Sequence, residues 1–203
     1  MAKIIKIVGR QVFDSRGNPT VEAEVYLSDK ISASAIVPSG ASTGAFEAYE
    51  LRDGNKEYFL GRSVLKAVKN INTIINKSLK NTKVSNQKQI DQILINLDGT
   101  GNKNKLGANA LLAVSLAAFK AAASSKKKEL YQHLGKKFLL PKPLMNIING
   151  GAHADNNLRI QEFMIRPDSA KNFMDAIEKC FLVIQNLKKI LQSKKLLTNV
   201  GDE

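Results

Sequence analysis

The sequence has few cysteines and prolines. Its single cysteine, Cys180, excludes an internal disulfide, and its place on the apolar side of a helical pattern predicts a buried thiol. With only five prolines, 43% hydrophobic residues and 24% charged residues, the composition excludes a disordered chain and is typical of a globular protein. A chain of 203 residues can bury a substantial core and has room for one or two domains.

Long apolar runs are also missing. Residues 1–8 are interrupted by Lys3 and Lys6 and lack the apolar core and small-residue cleavage site of a signal peptide. We find no stretch that is apolar over the length needed to cross a bilayer. The sequence therefore predicts a cytoplasmic protein with no membrane partner, and a lone cysteine fits a reducing compartment.

Acidic residues are scarce, with 18 Asp and Glu against 31 Lys and Arg, which gives a net charge of +13. Such a charge can attract nucleic acid or another polyanion. The lysines are spread along the chain with few aromatic residues between them, and we expect the densest runs at helix ends and in loops. We therefore predict a solvated basic surface and not a nucleic-acid site, while a basic interaction module stays open as an alternative function. The densest runs are residues 126–128, 136–137, 188–189 and 194–195.

The first part of the chain has the pattern of an antiparallel sheet. Residues 3–38 read as three strands, and in the second strand apolar side chains from Val21 to Leu27 alternate with polar ones. Between the first two strands, Asp14 to Pro19 carries turn residues, with Gly17 suited to a positive φ. The sequence predicts a three-stranded meander.

After these strands, the spacing of apolar residues changes from that of a strand to that of a helix. A first helix follows Gly61, a second is capped by Ser85 and ends at Asp98 and Gly99, and a third, residues 108–123, is apolar on nearly every side. A short helical turn at residues 129–134 completes an α+β domain that we place at residues 1–138. The apolar stripe of the first helix consists of Val64, Leu65, Val68, Ile71, Ile75 and Leu79.

The rest of the chain, residues 139–203, begins a second pattern. Residues 144–148 and 163–165 read as short, fully buried strands, and a long amphipathic helix follows, started by Asp168 or Ser169. Strands followed by a helix of this kind predict the first elements of a β/α barrel, which is incomplete here.

Five segments carry a resemblance to a known family. They are residues 14–20 (DSRGNPT), 38–44 (PSGASTG), 145–155 (MNIINGGAHAD), 161–165 (QEFMI) and 200–203 (VGDE). Together they resemble enolase of the bacterial type, the phosphopyruvate hydratase of glycolysis, over essentially the whole chain. Because enolases are roughly twice this long, the chain is identified as an amino-terminal portion.

The resemblance implies a reaction and a set of site residues. Enolases reversibly dehydrate 2-phosphoglycerate to phosphoenolpyruvate, with two Mg²⁺ ions that neutralise the charge of an ene-diolate. By resemblance, Ser42 in a mobile loop at 38–44 binds the second magnesium ion, and Gln161 and His153 contact the substrate. Glu203 donates the proton to the departing hydroxyl, and Glu162 assists it.

The same resemblance implies what this chain lacks. The main magnesium ligands, the lysine base and the phosphate-binding Arg and Ser of enolases come from later barrel strands. We therefore expect the chain alone to be inactive and not to bind magnesium in the family's manner. Enolases are commonly homodimers, with the amino-terminal strands and Arg16 near the subunit contact.

A second enzymatic interpretation uses the same loop. Residues 40–44 match the G-x-S-x-G pattern of a serine hydrolase, in which Ser42 would be the nucleophile on a strand-to-helix turn. Such a turn needs a hydrophobic parallel strand before it and a long helix after it, whereas residues 31–37 are short and residues 47–53 are charged. The pattern alone is weak support for a hydrolase.

Overall fold

The computed structural model describes residues 2–39 and 44–199. Their contacts divide the chain into two compact units. The amino-terminal unit contains the described residues up to 136, and the carboxy-terminal unit contains residues 137–199.

The amino-terminal unit is built on the predicted meander. Its strands are β1 (Ile4–Phe13), β2 (Pro19–Leu27) and β3 (Ser32–Val37), paired antiparallel in the order β1-β2-β3. Val25 of β2 lies opposite Ile7 on one side and Ala33 on the other, and the inward side chains of β2 are fully buried. In the β1–β2 turn, the Asp14 carboxylate accepts hydrogen bonds from two backbone N–H groups, and Gly17 has a φ of +75°. The predicted strands and turn are confirmed.

One face of the sheet is covered by helices. The first helical stretch is continuous through α1 (Leu65–Asn70), a π-helical segment (Ile71–Ile75) and α2 (Asn76–Leu79). Ile71, Ile75 and Leu79 are buried as predicted, but Leu65 is exposed. Leu65 is the first residue of α1, and its side chain lies outside the buried stripe that Ile71, Ile75 and Leu79 form.

The π-helical segment and the first residue of α2 also cover the outer edge of the sheet. The Asn72 side chain accepts a hydrogen bond from Gly9 N at 2.8 Å and donates one to Gly9 O at 3.1 Å. The Asn76 amide oxygen accepts from Ile7 N at 2.8 Å. Two asparagine side chains thus take the place of a fourth strand and satisfy backbone groups that an edge strand leaves open.

A 3₁₀ turn (Phe59–Gly61) precedes α1, and three further α-helices lie in this unit: α3 (Gln87–Asp98), α4 (Ala108–Ser125) and α5 (Leu130–Leu134). The predicted cap of α3 is wrong by one residue, since the Asn86 side chain, and not that of Ser85, accepts from Gln89 N. The helix α3 ends at Asp98 and Gly99, as predicted, and Gly99 has the left-handed conformation.

The helix α4 has the length and apolar composition of a membrane span, which corrects the expectation that no stretch of the chain reaches that length. It packs against the sheet, and 56% of the span is buried inside the fold, as expected of the core helix of a folded domain.

A remote carboxylate caps α1. The residue before this helix, Val64, has no side chain that can accept a hydrogen bond, and Asp53 accepts instead from Leu65 N at 2.9 Å and Lys66 N at 2.8 Å. We expect Asp53→Ala to lower the free energy of unfolding by about 1–2 kcal/mol, the usual cost of losing a helix cap. Urea unfolding followed by tyrosine fluorescence measures this, because all four tyrosines lie in the amino-terminal unit.

The matched variant for this experiment is Asp53→Asn. It keeps one side-chain oxygen that can accept a hydrogen bond, and we expect it to lose less stability than the alanine variant. Equal stability of wild type and Asp53→Ala would show that the cap contributes nothing.

The carboxy-terminal unit contains β4 (Met145–Asn149), β5 (Glu162–Ile165) and α6 (Phe173–Ser193). The two strands pair antiparallel. The prediction that both are fully buried is wrong, because Phe163 and Met164 are exposed and the side chains of β4 are at most half-buried. A two-stranded sheet has too few neighbours to bury both of its faces.

The start of α6 is also shifted from the prediction. Asn172 is its N-cap and accepts from Asp175 N at 3.0 Å, whereas Asp168 pairs with Arg166 at 2.8 Å. Cys180 is buried, as predicted. Of the lysine runs, residues 126–128 and 194–195 follow helix ends as expected, but residues 188–189 lie inside α6.

Candidate active-site segment

The hairpin between β4 and β5 brings three of the predicted site residues together. His153 lies in a short 3₁₀ turn, Gly151–His153, and is only 4% exposed. Its Nδ1 lies 3.2 Å from Glu162 Oε1, and its Nε2 is in hydrogen-bond contact with the Gln161 side-chain amide. Glu162 is half-buried and Gln161 is exposed. The hairpin therefore presents a histidine, a carboxylate and an amide side by side.

The close return of the chain in this loop depends on glycine. Gly150 N donates to Gln161 O at 2.9 Å and Gly151 N donates to Leu158 O at 2.7 Å, so the loop folds back on itself. A Cβ atom at Gly150 would lie 2.6 Å from Leu158 Cβ and against the carbonyl of Ile160. Only glycine lets the two sides of the loop approach closely enough for His153 to reach Gln161 and Glu162.

Gln161 and Glu162 contact opposite nitrogens of the His153 ring, and which atom donates depends on the ring's tautomer. An amide N–H of Gln161 can donate to His153 Nε2 only if that nitrogen carries no proton. The ring proton of this tautomer is then on Nδ1, facing the Glu162 carboxylate. Gln161 and Glu162 thus lie against the imidazole on both sides.

Two predicted site residues, Ser42 and Glu203, lie outside the described residues. On the described sides of the 40–43 segment, Ser39 Oγ donates to Glu50 Oε1 at 2.6 Å, and Gly44 N donates to Glu47 Oε1 at 2.8 Å. Sequence reasoning did not single out these contacts.

Arg52 is a further residue that sequence reasoning missed. Its guanidinium donates to Ser39 Oγ at 2.7 Å, to Glu50 Oε1 at 2.8 Å and to the carbonyl of Pro19 at 3.1 Å. The only signal in the sequence was a Glu and an Arg two residues apart in a stretch without periodicity.

The described residues do not gather three or more His, Cys, Asp or Glu side chains into a cluster that could hold a metal ion. The cluster at the hairpin contains one carboxylate and one imidazole, which do not amount to a magnesium site, because Mg²⁺ prefers several oxygen ligands in octahedral geometry.

The local structure does not support a serine nucleophile at residue 42. The strand that precedes the motif, β3, is antiparallel to its neighbour, and no helix begins between residues 44 and 58, all of which are described. A nucleophile elbow needs a strand-to-helix turn at the top of a hydrolase sheet. The described residues around this motif therefore lack the strand-to-helix turn that a serine hydrolase requires.

Comparison with known proteins gives matches along the whole chain. The family of the enolase N-terminal domain matches residues 4–134, and that of the enolase C-terminal TIM barrel domain matches residues 137–203. A curated protein named Enolase, from Pelagibacter ubique (strain HTCC1062), is 62% identical over 205 aligned positions. The alignment covers 100% of this chain and 49% of the relative, so the chain spans about half the length of that relative.

These matches identify the meander and helices of the amino-terminal unit as the first domain of that family, and β4, β5 and α6 as the start of its barrel. The chain belongs to the enolase family.

Proposed function

We propose that this chain is the amino-terminal half of a glycolytic enolase, which reversibly dehydrates 2-phosphoglycerate to phosphoenolpyruvate in the cytoplasm. The observation that carries the proposal is the juxtaposition of His153, Gln161 and Glu162 on a hairpin that the barrel family matches. Barrel enzymes place their chemistry in loops that follow strands, and His153 lies in the loop that follows β4.

Each of the three residues has a role that its surroundings support. The exposed Gln161 amide can donate a hydrogen bond to an oxygen of an anionic substrate. We propose that His153, which lies between Gln161 and Glu162, contacts the substrate. The half-buried Glu162 supplies the carboxylate that we propose assists Glu203 in proton donation.

The remaining parts of the proposal concern groups that this chain does not hold by itself. We propose that magnesium binds through ligands of the other half of the barrel, with Ser42 completing the second ion's shell. We also propose a homodimer with the amino-terminal strands and Arg16 near the contact. The described residues form no magnesium site of their own, so we derive no step of the reaction through the metal.

A chimera tests this function. Residues 1–203 are joined to the part of the curated Pelagibacter relative that follows the matched stretch, and phosphoenolpyruvate formation is followed by its absorbance. We expect turnover by the chimera and none by residues 1–203 alone. In the chimera, Glu162→Gln should lower kcat by about a hundredfold or more, the usual contribution of a positioned acid–base group.

The control for this experiment is Glu178→Gln, which removes a carboxylate from an exposed position on α6 and should leave kcat unchanged. An inactive chimera that is folded would contradict the proposed function. Turnover by residues 1–203 alone would contradict the dependence on the other half.

A further inference from the structure

We propose that the outer edge of β3 binds an extended acidic segment of another protein, which joins the sheet as an added strand. The proposal gives a function to part of the basic surface that the sequence predicts. It concerns binding by the amino-terminal unit and does not depend on turnover.

The two edges of the three-stranded sheet differ. At the β1 edge, the side chains of Asn72 and Asn76 bond to the backbone of the strand. Beside β3 (Ser32–Val37), no further strand lies on the outer side among the described residues. Lys120 of α4 reaches this edge, where its Nζ donates to Ser34 O at 3.1 Å. An open strand edge of this kind is a template on which an extended peptide can pair.

Alternate residues of β3 point their backbone groups away from β2. Leu27 N donates to Ile31 O at 2.8 Å at the start of the β2–β3 ladder. Along an antiparallel ladder, residues bonded to the partner strand alternate with residues whose N–H and C=O groups face outward. The outward residues are therefore Ser32, Ser34 and Ile36, which agrees with the bond that Ser34 O accepts from the α4 lysine. These groups can pair with the backbone of an added strand.

Lysines surround one end of this edge. The Ser125 hydroxyl donates to the carboxylate of Asp29 in the β2–β3 turn, so the carboxyl end of α4 lies beside that turn. Residues 126–128, all lysines, therefore lie near Lys30 of the turn, and Lys120 lies farther back along α4. All five lysines are exposed, and within the described part of the chain none of them is in an ion pair.

The carboxylates at this end are already engaged. Asp29 is bonded to the serine at the end of α4, and Glu24 pairs with an arginine of β1 at 2.8 Å. The positive charge is felt by His133 of α5, whose pKa is lowered by burial and by the charges of Lys126 and Lys128. An acidic ligand therefore meets positive charge that the fold has not neutralised, and this favours its binding.

The other end of the edge is apolar. Leu116 and Leu112 lie one and two turns before Lys120 on the same stripe of α4, and they are 40% and 48% exposed. Because α4 runs towards the β2–β3 turn, these leucines lie towards the Val37 end of β3. Antiparallel pairing is the more stable kind, and an antiparallel strand begins beside Val37. The ligand that fits thus has apolar residues followed by acidic residues on one face.

The proposed homodimer contact lies at a different turn. Arg16 is in the β1–β2 turn, whereas the lysines surround the β2–β3 turn at the opposite end of β2. A peptide bound at the lysine end therefore leaves Arg16 uncovered.

Fluorescence anisotropy of a short labelled peptide tests the inference. In this peptide, threonine alternates first with two valines and then with two glutamates, so that the valines and glutamates share one face. We expect residues 1–203 to bind it at least about tenfold more tightly than the same peptide with lysines in place of the glutamates. Lys120→Glu should weaken binding of the acidic peptide by at least about tenfold, because it sets a negative charge beside the glutamates.

Two further variants separate the causes of binding. Lys88→Glu makes the same change of charge at an exposed position of α3 and should bind the peptide like wild type. Ser34→Pro keeps every lysine but removes an outward N–H donor, a change that an edge strand tolerates, and it should also weaken binding. Circular dichroism of each variant checks that the fold is retained.

Several results would overturn the inference: no preference for the acidic peptide, equal weakening by Lys88→Glu and Lys120→Glu, or unchanged binding by folded Ser34→Pro. Polyuridylate RNA that competes as well as the peptide at the same salt concentration would show a general polyanion surface instead. Sedimentation gives the last check, since a dimer that Lys120→Glu dissociates would make this edge a contact between two copies of the chain.

Discussion

We expect Gly107→Ala to lower the free energy of unfolding of the amino-terminal unit by about 3–5 kcal/mol, because backbone strain and overpacking add at this position. Gly107 immediately precedes α4 and has φ +95° and ψ 128°, a conformation that residues with a Cβ atom rarely adopt. A Cβ atom there would lie 2.5 Å from Leu51 Cβ and 2.5 Å from Asn109 Oδ1.

The neighbours of Gly107 cannot easily move away. Asn109 is buried, and its side chain accepts from Leu51 N at 3.2 Å and donates to Leu51 O at 3.1 Å. These bonds hold the irregular chain around Leu51 against the start of α4. A methyl group at residue 107 must break them or displace the helix, and both changes cost free energy.

A neighbouring glycine provides the control for this prediction. Gly101 lies in the same loop, has no positive φ, and no atom lies within 4 Å of the position that its Cβ would take. Gly101→Ala should therefore leave stability unchanged or slightly raised, because alanine lowers the entropy of the unfolded chain. Urea unfolding followed by tyrosine fluorescence compares the two variants, and equal midpoints would refute the role of Gly107.

The strands and helices of the amino-terminal unit were predictable because their apolar patterns are regular. The alternation from Val21 to Leu27 and the four-residue spacing of Ile71, Ile75 and Leu79 correspond directly to buried faces. Helix starts were less predictable. Ser85 and Asn86 are both good capping residues, and only the tertiary fold decides which backbone position begins the helix.

The candidate site was only partly accessible from sequence. The resemblance pointed to His153, Gln161 and Glu162, but the antiparallel pairing of β4 and β5 that brings them together was not predicted. By contrast, Arg52, Asn72 and Asp53 act through hydrogen bonds to residues distant in the sequence. No local pattern encodes such contacts, because each depends on where another segment of the chain is placed.

We expect Asp98→Ala to lower the free energy of unfolding by about 3 kcal/mol at pH 7, since it leaves buried backbone donors without acceptors. Asp98 is 2% exposed at the end of α3. Its carboxylate accepts from Leu106 N at 2.7 Å, from Thr100 N at 3.0 Å and from the Thr100 hydroxyl. Through these hydrogen bonds, the Asp98 carboxylate holds the loop between α3 and α4 against the end of α3.

This contribution should depend on pH. Burial by itself raises the pKa of the Asp98 carboxyl, but hydrogen bonds from the Thr100 hydroxyl and from the N–H groups of Leu106 and Thr100 lower it, and the net pKa lies below its ordinary range. A carboxyl with a lowered pKa in the folded state stabilises the fold fully above its unfolded-state pKa of about 3.9. The stabilisation is lost as the pH falls through the lower, folded-state pKa.

The difference in unfolding free energy between wild type and Asp98→Ala isolates this effect from the other acidic groups. It should be constant from pH 7 to about pH 5 and shrink below about pH 4, near the unfolded-state pKa. Asp98→Asn, which keeps the shape and one accepting oxygen, should cost less than alanine at pH 7, and its stability relative to alanine should change little with pH. A difference between wild type and Asp98→Ala that stays constant down to pH 3 would mean that the Asp98 charge contributes nothing to the loop, and that the neutral hydrogen bonds alone hold it.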